Sequence, residues 1–277
     1  MADIVRRKAA LLVNYRPEEY TGNSTGKEEC AMTMTAIYLC LTVIFASTVQ
    51  AVSGFGFNIV GAPLLMLFIA PKQVISLTIF GALILNLMVI HKTRGQGDFY
   101  LILPMFAASI VGVLPGVYFL NIVDGSVLKM VVGTIVILMS IVLAANFSVQ
   151  IRRQRLASII AGGIGGFMGG ATSMSGPVVA MFLMNQKQDK VAFRANLVRF
   201  FCLNNIVILG TMYVMGVMDV DVLPLISYIV PGVLIGTWLG EKAFHRVSPA
   251  VFRQVVIMVL ISCGLMSVGP EVVKHFL

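Results

Sequence analysis

Apolar runs of membrane-crossing length alternate with short polar connections along nearly the whole chain. They fall at about 33–70, 73–91, 99–122, 126–147, 156–184, 195–217, 222–244 and 251–268. A hydrocarbon core about 30 Å thick asks for roughly 20 apolar residues per helix, so most of these runs read as one tilted helix each. Two do not. The run 33–70 is interrupted by Ser53-Gly54-Phe55-Gly56-Phe57-Asn58 and then Pro63, and 156–184 is interrupted by the stretch from Gly169 to Pro177, which contains Thr172, Ser173, Ser175 and Gly176.

The interruptions occupy corresponding places in an internal repeat. Pro104, Gly112 and Gly116 match Pro224, Gly232 and Gly236 with the same gaps, a shift of 120 residues; a shift of 114 aligns Gly56 with Gly170 and Pro63 with Pro177. The chain therefore reads as an all-α integral membrane protein of two four-segment repeats, each with a broken or re-entrant first segment. The repeats span 32–147 and 156–277, joined by a basic linker at 148–155 and preceded by a polar extension, 1–31, holding five cations and five acids.

Charge sets the expected topology. Arg152, Arg153 and Arg155, then Lys187, Lys190 and Arg194, then Lys242, Arg246 and Arg253 mark cytoplasmic connections, whereas Asp124, Asp219 and Asp221 mark outer ones. Both ends of 156–184 then lie on the cytoplasmic side, which makes that run a re-entrant hairpin. Reading 33–70 as a hairpin from outside makes the halves inverted copies. A spanning 33–52 with a cytoplasmic N-terminus is the other model, and the two agree from residue 70 onward.

Composition changes the picture chiefly by exclusion. With 58% hydrophobic and 12% charged residues the chain is too apolar for a water-soluble domain, and the net charge of +8 belongs to topology-setting connections rather than to a nucleic-acid surface. Its four cysteines have no CxxC spacing, its three histidines stand at segment ends, and no GxxxxGK[ST], HExxH or GxSxG pattern occurs. No metal, cofactor or catalytic residue is expected, and the chain is not read as an enzyme. The alternatives are a membrane-embedded enzyme, which needs a nucleophile or metal cluster at depth, and a non-transporting membrane subunit, which needs a large partner-binding loop.

A break in a membrane helix frees backbone N–H groups, and the following half-helix presents a positive dipole end suited to an anion. Two such ends facing each other make a midplane anion site. The candidate residues are Gly54, Gly56, Phe57, Asn58 and Gly61 ahead of the break proline Pro63, and Thr172, Ser173, Ser175 and Gly176 ahead of Pro177. Small residues and prolines also serve helix packing and kinks. Arg199, deep in its segment without an acid at comparable depth, is expected to meet the anion or to snorkel to the interface. Asn86, Asn204 and Asn205 complete the set. The expected partners are a small anionic solute, the lipid bilayer and a coupling ion, H+ or Na+.

The run Gln50-Ala51-Val52-Ser53-Gly54-Phe55-Gly56-Phe57-Asn58 with Pro63, and its partner Gly165-Gly166-Phe167-Met168-Gly169-Gly170 leading into Ser175-Gly176-Pro177, resemble the paired glycine-rich motifs of the TauE/SafE family. The resemblance covers about 34–268. It implies a multi-pass transporter of the bacterial cytoplasmic membrane, associated with sulfite, sulfonates or other organosulfur anions. It extends to the glycine breaks, Pro63, Pro177 and the region of Arg194.

Overall fold

A computed structural model describes residues 25–145, 153–186, 188–218 and 223–244. Most of the polar extension, most of the basic linker, the connection with Asp219 and Asp221, and the last apolar run lie outside the described residues. The described residues form nine helices and no strand: α1 Thr25–Ser53, α2 Phe57–Leu65, α3 Pro71–Lys92, α4 Phe99–Ile122, α5 Gly125–Ala145, α6 Gln154–Thr172, α7 Gly176–Met184, α8 Lys190–Val214 and α9 Leu223–Phe244. Helix α1 thus begins seven residues ahead of the expected boundary at residue 32.

Local chemistry explains the starts. Pro71 opens α3, where its missing N–H has no intrahelical partner to lose. Asp98 caps α4 by accepting from the amides of Tyr100 and Leu101, and Asp189 caps α8 through Val191 and Ala192. Helices α3, α4 and α8 are long and apolar enough to cross a membrane. Large apolar side chains on α4 such as Val111, Tyr118 and Ile122 are exposed, as a helix facing hydrocarbon allows.

Each interrupted run forms a helical hairpin. Helix α2 turns back along α1: the Tyr38 hydroxyl donates to the Leu64 carbonyl at 3.1 Å, and Tyr38 and Phe68 stack with centroids 4.3 Å apart. Helix α7 returns along α6, with Val179 against Gly165. The turns are shorter than the glycine runs suggest. Gly169 and Gly170 are still helical in α6, and the second turn is only 173–175.

The two turns are spaced differently from the aligned prolines. Gly54 and Ser173, with φ of 84° and 63°, open the two turns, so the spacing there is 119 residues and not 114. At that spacing Gly56 pairs with Ser175. Pro63 and Pro177 are not equivalent: Pro63 lies inside α2, while Pro177 stands in the first turn of α7.

Close backbone approach holds the hairpins to the outer helices. A Cβ added at Gly162, Gly166 or Gly170 of α6 would overlap the carbonyl of Met105, Ser109 or Val113 in α4, and one at Gly236 or Gly240 of α9 would overlap Ile44 or Thr48 in α1. In a bilayer, where apolar burial drives helix association little, such contact supplies dispersion and packing. Helix α4 therefore packs on α6, and α9 on α1, each outer helix against the hairpin of the other half.

Candidate functional site

Both hairpin tips end at one cavity. In the first, Ser53 Oγ donates to the Val49 carbonyl at 2.8 Å, and the left-handed glycines Gly54 and Gly56 reverse the chain. A turn in this region of φ suits glycine, which carries no Cβ to clash. The Phe57 amide that opens α2 donates to Gln50 Oε1 at 3.1 Å, and Gln50 Nε2 donates to Asn86 Oδ1 of α3 at 2.7 Å. In the second tip, Ser173 takes the left-handed conformation, and its hydroxyl lies 3.3 Å from Thr78 Oγ1. The tips are bonded to each other, since Asn58 Nδ2 donates to the Ser173 carbonyl at 2.6 Å.

The cavity between them holds about 20 Å³, room for about one water. Its wall is built from residues paired at the 119-residue spacing: Phe55 with Met174, Gly56 with Ser175, Ala82 with Phe201, and Asn86 with Asn205. Gln50, Asn58, Ile59, Ser173 and Gly176 complete it. Asn86, Ser173, Ser175 and Asn205 are buried. The Phe57 amide is taken by Gln50 and Pro177 has no N–H, which leaves the amides of Asn58 and Ile59 in α2 and of Gly176 and Val178 in α7 without an intrahelical partner.

Seven candidates from the sequence line this cavity: Gly56, Asn58, Asn86, Ser173, Ser175, Gly176 and Asn205. The others stand behind it. Gly54 packs against Arg194 and Leu197, the Phe57 ring against Gly81, and Gly61 against Ala46. Thr172 bonds its own helix at the Met168 carbonyl. Asn204 is fully buried beside Gly169, with neither amide atom partnered.

The structure places Arg199 away from the cavity. Its guanidinium donates to the Thr93 carbonyl at 3.4 Å and lies against Gly97, in the connection between α3 and α4. With 3.6 residues per turn, Arg199 sits roughly 200° around α8 from Phe201, which lines the wall. The buried arginine is Arg194, 5% exposed. It pairs with Glu241 of α9, lies 4.7 Å from the Phe244 ring centroid, and backs the first tip at Gly54. Lys92 Nζ is 3.8 Å from the same Glu241 carboxylate.

Sequence reasoning missed Gln50, Ile59, Ala82, Met174 and Phe201 in the wall, and Glu241 as the partner of Arg194. The available signal was the spacing of Asn86 and Asn205, which gives 119 directly and pairs Ala82 with Phe201.

Two helical hairpins whose tips meet at a polar cavity, set among helices of membrane-crossing length, define a multi-pass helical membrane protein. The chain belongs to the sulfite exporter TauE/SafE family, whose model matches residues 39–267. No curated protein and no solved structure matches it. Membership makes the chain a membrane transporter and accords with the resemblance carried by the glycine motifs.

Proposed function

We propose that the chain is a secondary transporter of a small anion, with sulfite, a sulfonate or another organosulfur anion as its solute. The observation that carries this reading is the polar cavity at which both hairpin tips meet, each with a half-helix start beside it. Partial positive charge at such starts favours an anion. Asn86 and Asn205 contribute polar side chains from equivalent places in α3 and α8.

Transport proceeds by alternating access, in which one half moves against the other around the cavity. The free space is too small for a multi-atom oxyanion, so the tips separate to admit it. Inversion of the halves is supported by the exchange of partners: α4 with α6 mirrors α9 with α1, and α4 with α8 mirrors α9 with α3. The C-terminal end of α3 also lies beside the N-terminal half of α8, as Thr93 and Arg199 demonstrate. Lys92, Lys190 and Lys242 gather at the end where α8 begins and α9 stops. The positive-inside rule makes this the cytoplasmic end in the cell membrane. A coupling ion, H+ or Na+, would set the direction.

Flux of radiolabelled sulfite and methanesulfonate into proteoliposomes tests the reading. Uptake above that of protein-free vesicles is expected for at least one. Transport of cations or neutral solutes with no anion flux would overturn it.

A further inference from the structure

We infer that the cavity takes an oxyanion in its singly charged, protonated form, of which hydrogen sulfite is the simplest organosulfur-related example. This rests on the anion site proposed above and names the form of solute it accepts. The argument begins with two groups whose chemistry leaves no choice. The Phe57 amide can only donate, so the Gln50 atom 3.1 Å away is Oε1, and its NH2 is the group facing Asn86 at 2.7 Å. The Asn86 atom there must accept. Its remaining Nδ2 is therefore a donor, buried and unpartnered, on a residue 0% exposed that lines the cavity.

The second fixed group is the Ser173 carbonyl, which can only accept. The Asn58 atom 2.6 Å from it is Nδ2, leaving Oδ1 as a buried, unpartnered acceptor on another cavity residue. The wall thus offers donors for anionic oxygens, from Asn86 and the starts of α2 and α7, together with an unpartnered acceptor, Asn58 Oδ1. A fully deprotonated oxyanion has only acceptors to set against Asn58 Oδ1. A solute keeping one proton can donate it there.

Charge leads to the same form. No Lys, Arg, His, Asp or Glu lines the cavity, although α1, α2, α3, α7, α8 and both hairpin turns contribute to it. Behind the first tip Arg194 is paired with Glu241, with Lys92 beside it, and Arg199 faces the connection after α3. The wall therefore holds no full positive charge, since the starts of α2 and α7 meet it together with the ends of α1 and α6, whose dipoles have the opposite sign. With no cation in the wall, the second charge of a dianion costs more to desolvate than a single charge does.

Binding of sulfite, methanesulfonate and sulfate to the purified full chain, by calorimetry between about pH 6 and pH 8.5, tests this. Above the solute's own pKa the apparent sulfite affinity should fall by about tenfold per pH unit. Methanesulfonate, a monoanion throughout, should bind more weakly and without that dependence, which controls for titration of the protein. Sulfate should bind at least tenfold more weakly than methanesulfonate. An Asn58→Leu chain should lose the advantage of sulfite over methanesulfonate. Sulfite binding equally well at both pH limits, or sulfate matching methanesulfonate, would overturn the inference while leaving an anion site. Failure of all three anions to bind would overturn the anion reading as well.

Discussion

The two hairpin tips share a backbone plan and differ in what holds them. The first turns on two glycines and is tied by a side chain from its own hairpin, Gln50, which joins the α2 start to Asn86. At the equivalent place the second hairpin has Gly169 and no such tie. Its turn is opened by a left-handed serine, held by Thr78 and Asn58 from the other half. Behind the first tip lies the Arg194–Glu241 pair; 119 residues before Arg194 the chain has Ile75, fully buried. Duplicated geometry thus coexists with an unequal distribution of polar anchors. The first tip has a tie of its own, Gln50, besides the charged pair behind it from the other half, whereas the side-chain ties described for the second come from Thr78 and Asn58.

The largest effect should come from the packing that both tips depend on. Glycines lie on both sides of the α4–α6 contact, where a Cβ at Gly112 or Gly116 of α4 would overlap the carbonyl of Gly163 or Phe167, but among the close approaches of α1–α9 they lie on the α9 side, so α6 should be the less tolerant hairpin helix. Gly166→Leu drives a side chain into the Ser109 backbone and should abolish the monodisperse peak in detergent chromatography. Gly163→Leu, whose Cβ meets nothing within 4 Å, should leave it intact. Equal loss from both would break the packing argument.

Next in size is the charged anchor. Arg194→Met leaves Glu241 with the more distant, half-exposed Lys92 and should destabilise the protein by up to about 3 kcal/mol, the scale for breaking a buried pair. Adding Glu241→Leu should recover part of the loss, since the other half is filled at the equivalent place by Ile75. Denaturation of the single and double variants in detergent measures the coupling.

Gln50→Leu should cost about 1–3 kcal/mol, because the Phe57 amide and Asn86 Oδ1 both lose their partner. It should also weaken anion binding by freeing the Asn86 amide to flip. The smallest effect belongs to Ser173→Gly, in which relief of a left-handed backbone is partly offset by loss of the hydroxyl contact with Thr78, so the gain should stay below about 1 kcal/mol. Gly54→Ala should act in the opposite direction, since its new Cβ is strained and also meets Arg194 Cγ at 3.3 Å. Thermal melts of this pair sharpen the comparison of the turns directly.

The broken runs were legible because they violate the length rule for a membrane helix, and because glycines and prolines repeat at fixed gaps. The register at the breaks was not legible from those residues. Pro63 and Pro177 serve different places, one inside a helix and one at its start, so aligning them misplaces the repeat by five residues. The buried face of each helix was obscure for a general reason: in a bilayer both faces are apolar, and small residues rather than an amphipathic stripe mark the packed side. Of the two places expected for Arg199, depth along the helix could not choose, because it says nothing about rotation around the axis; its contacts lie at the connection after α3. Glu241 stands close to the end of its run and gave no sign that it would reach Arg194.

The central claim is that both halves contribute to one anion site. Calorimetric anion binding to purified Asn86→Leu and Asn205→Leu chains tests it most directly, with chromatographic behaviour confirming that each is folded. Both substitutions should weaken binding by at least about tenfold, the scale of one lost hydrogen bond to a charged group. Wild-type affinity in either folded variant would contradict the account.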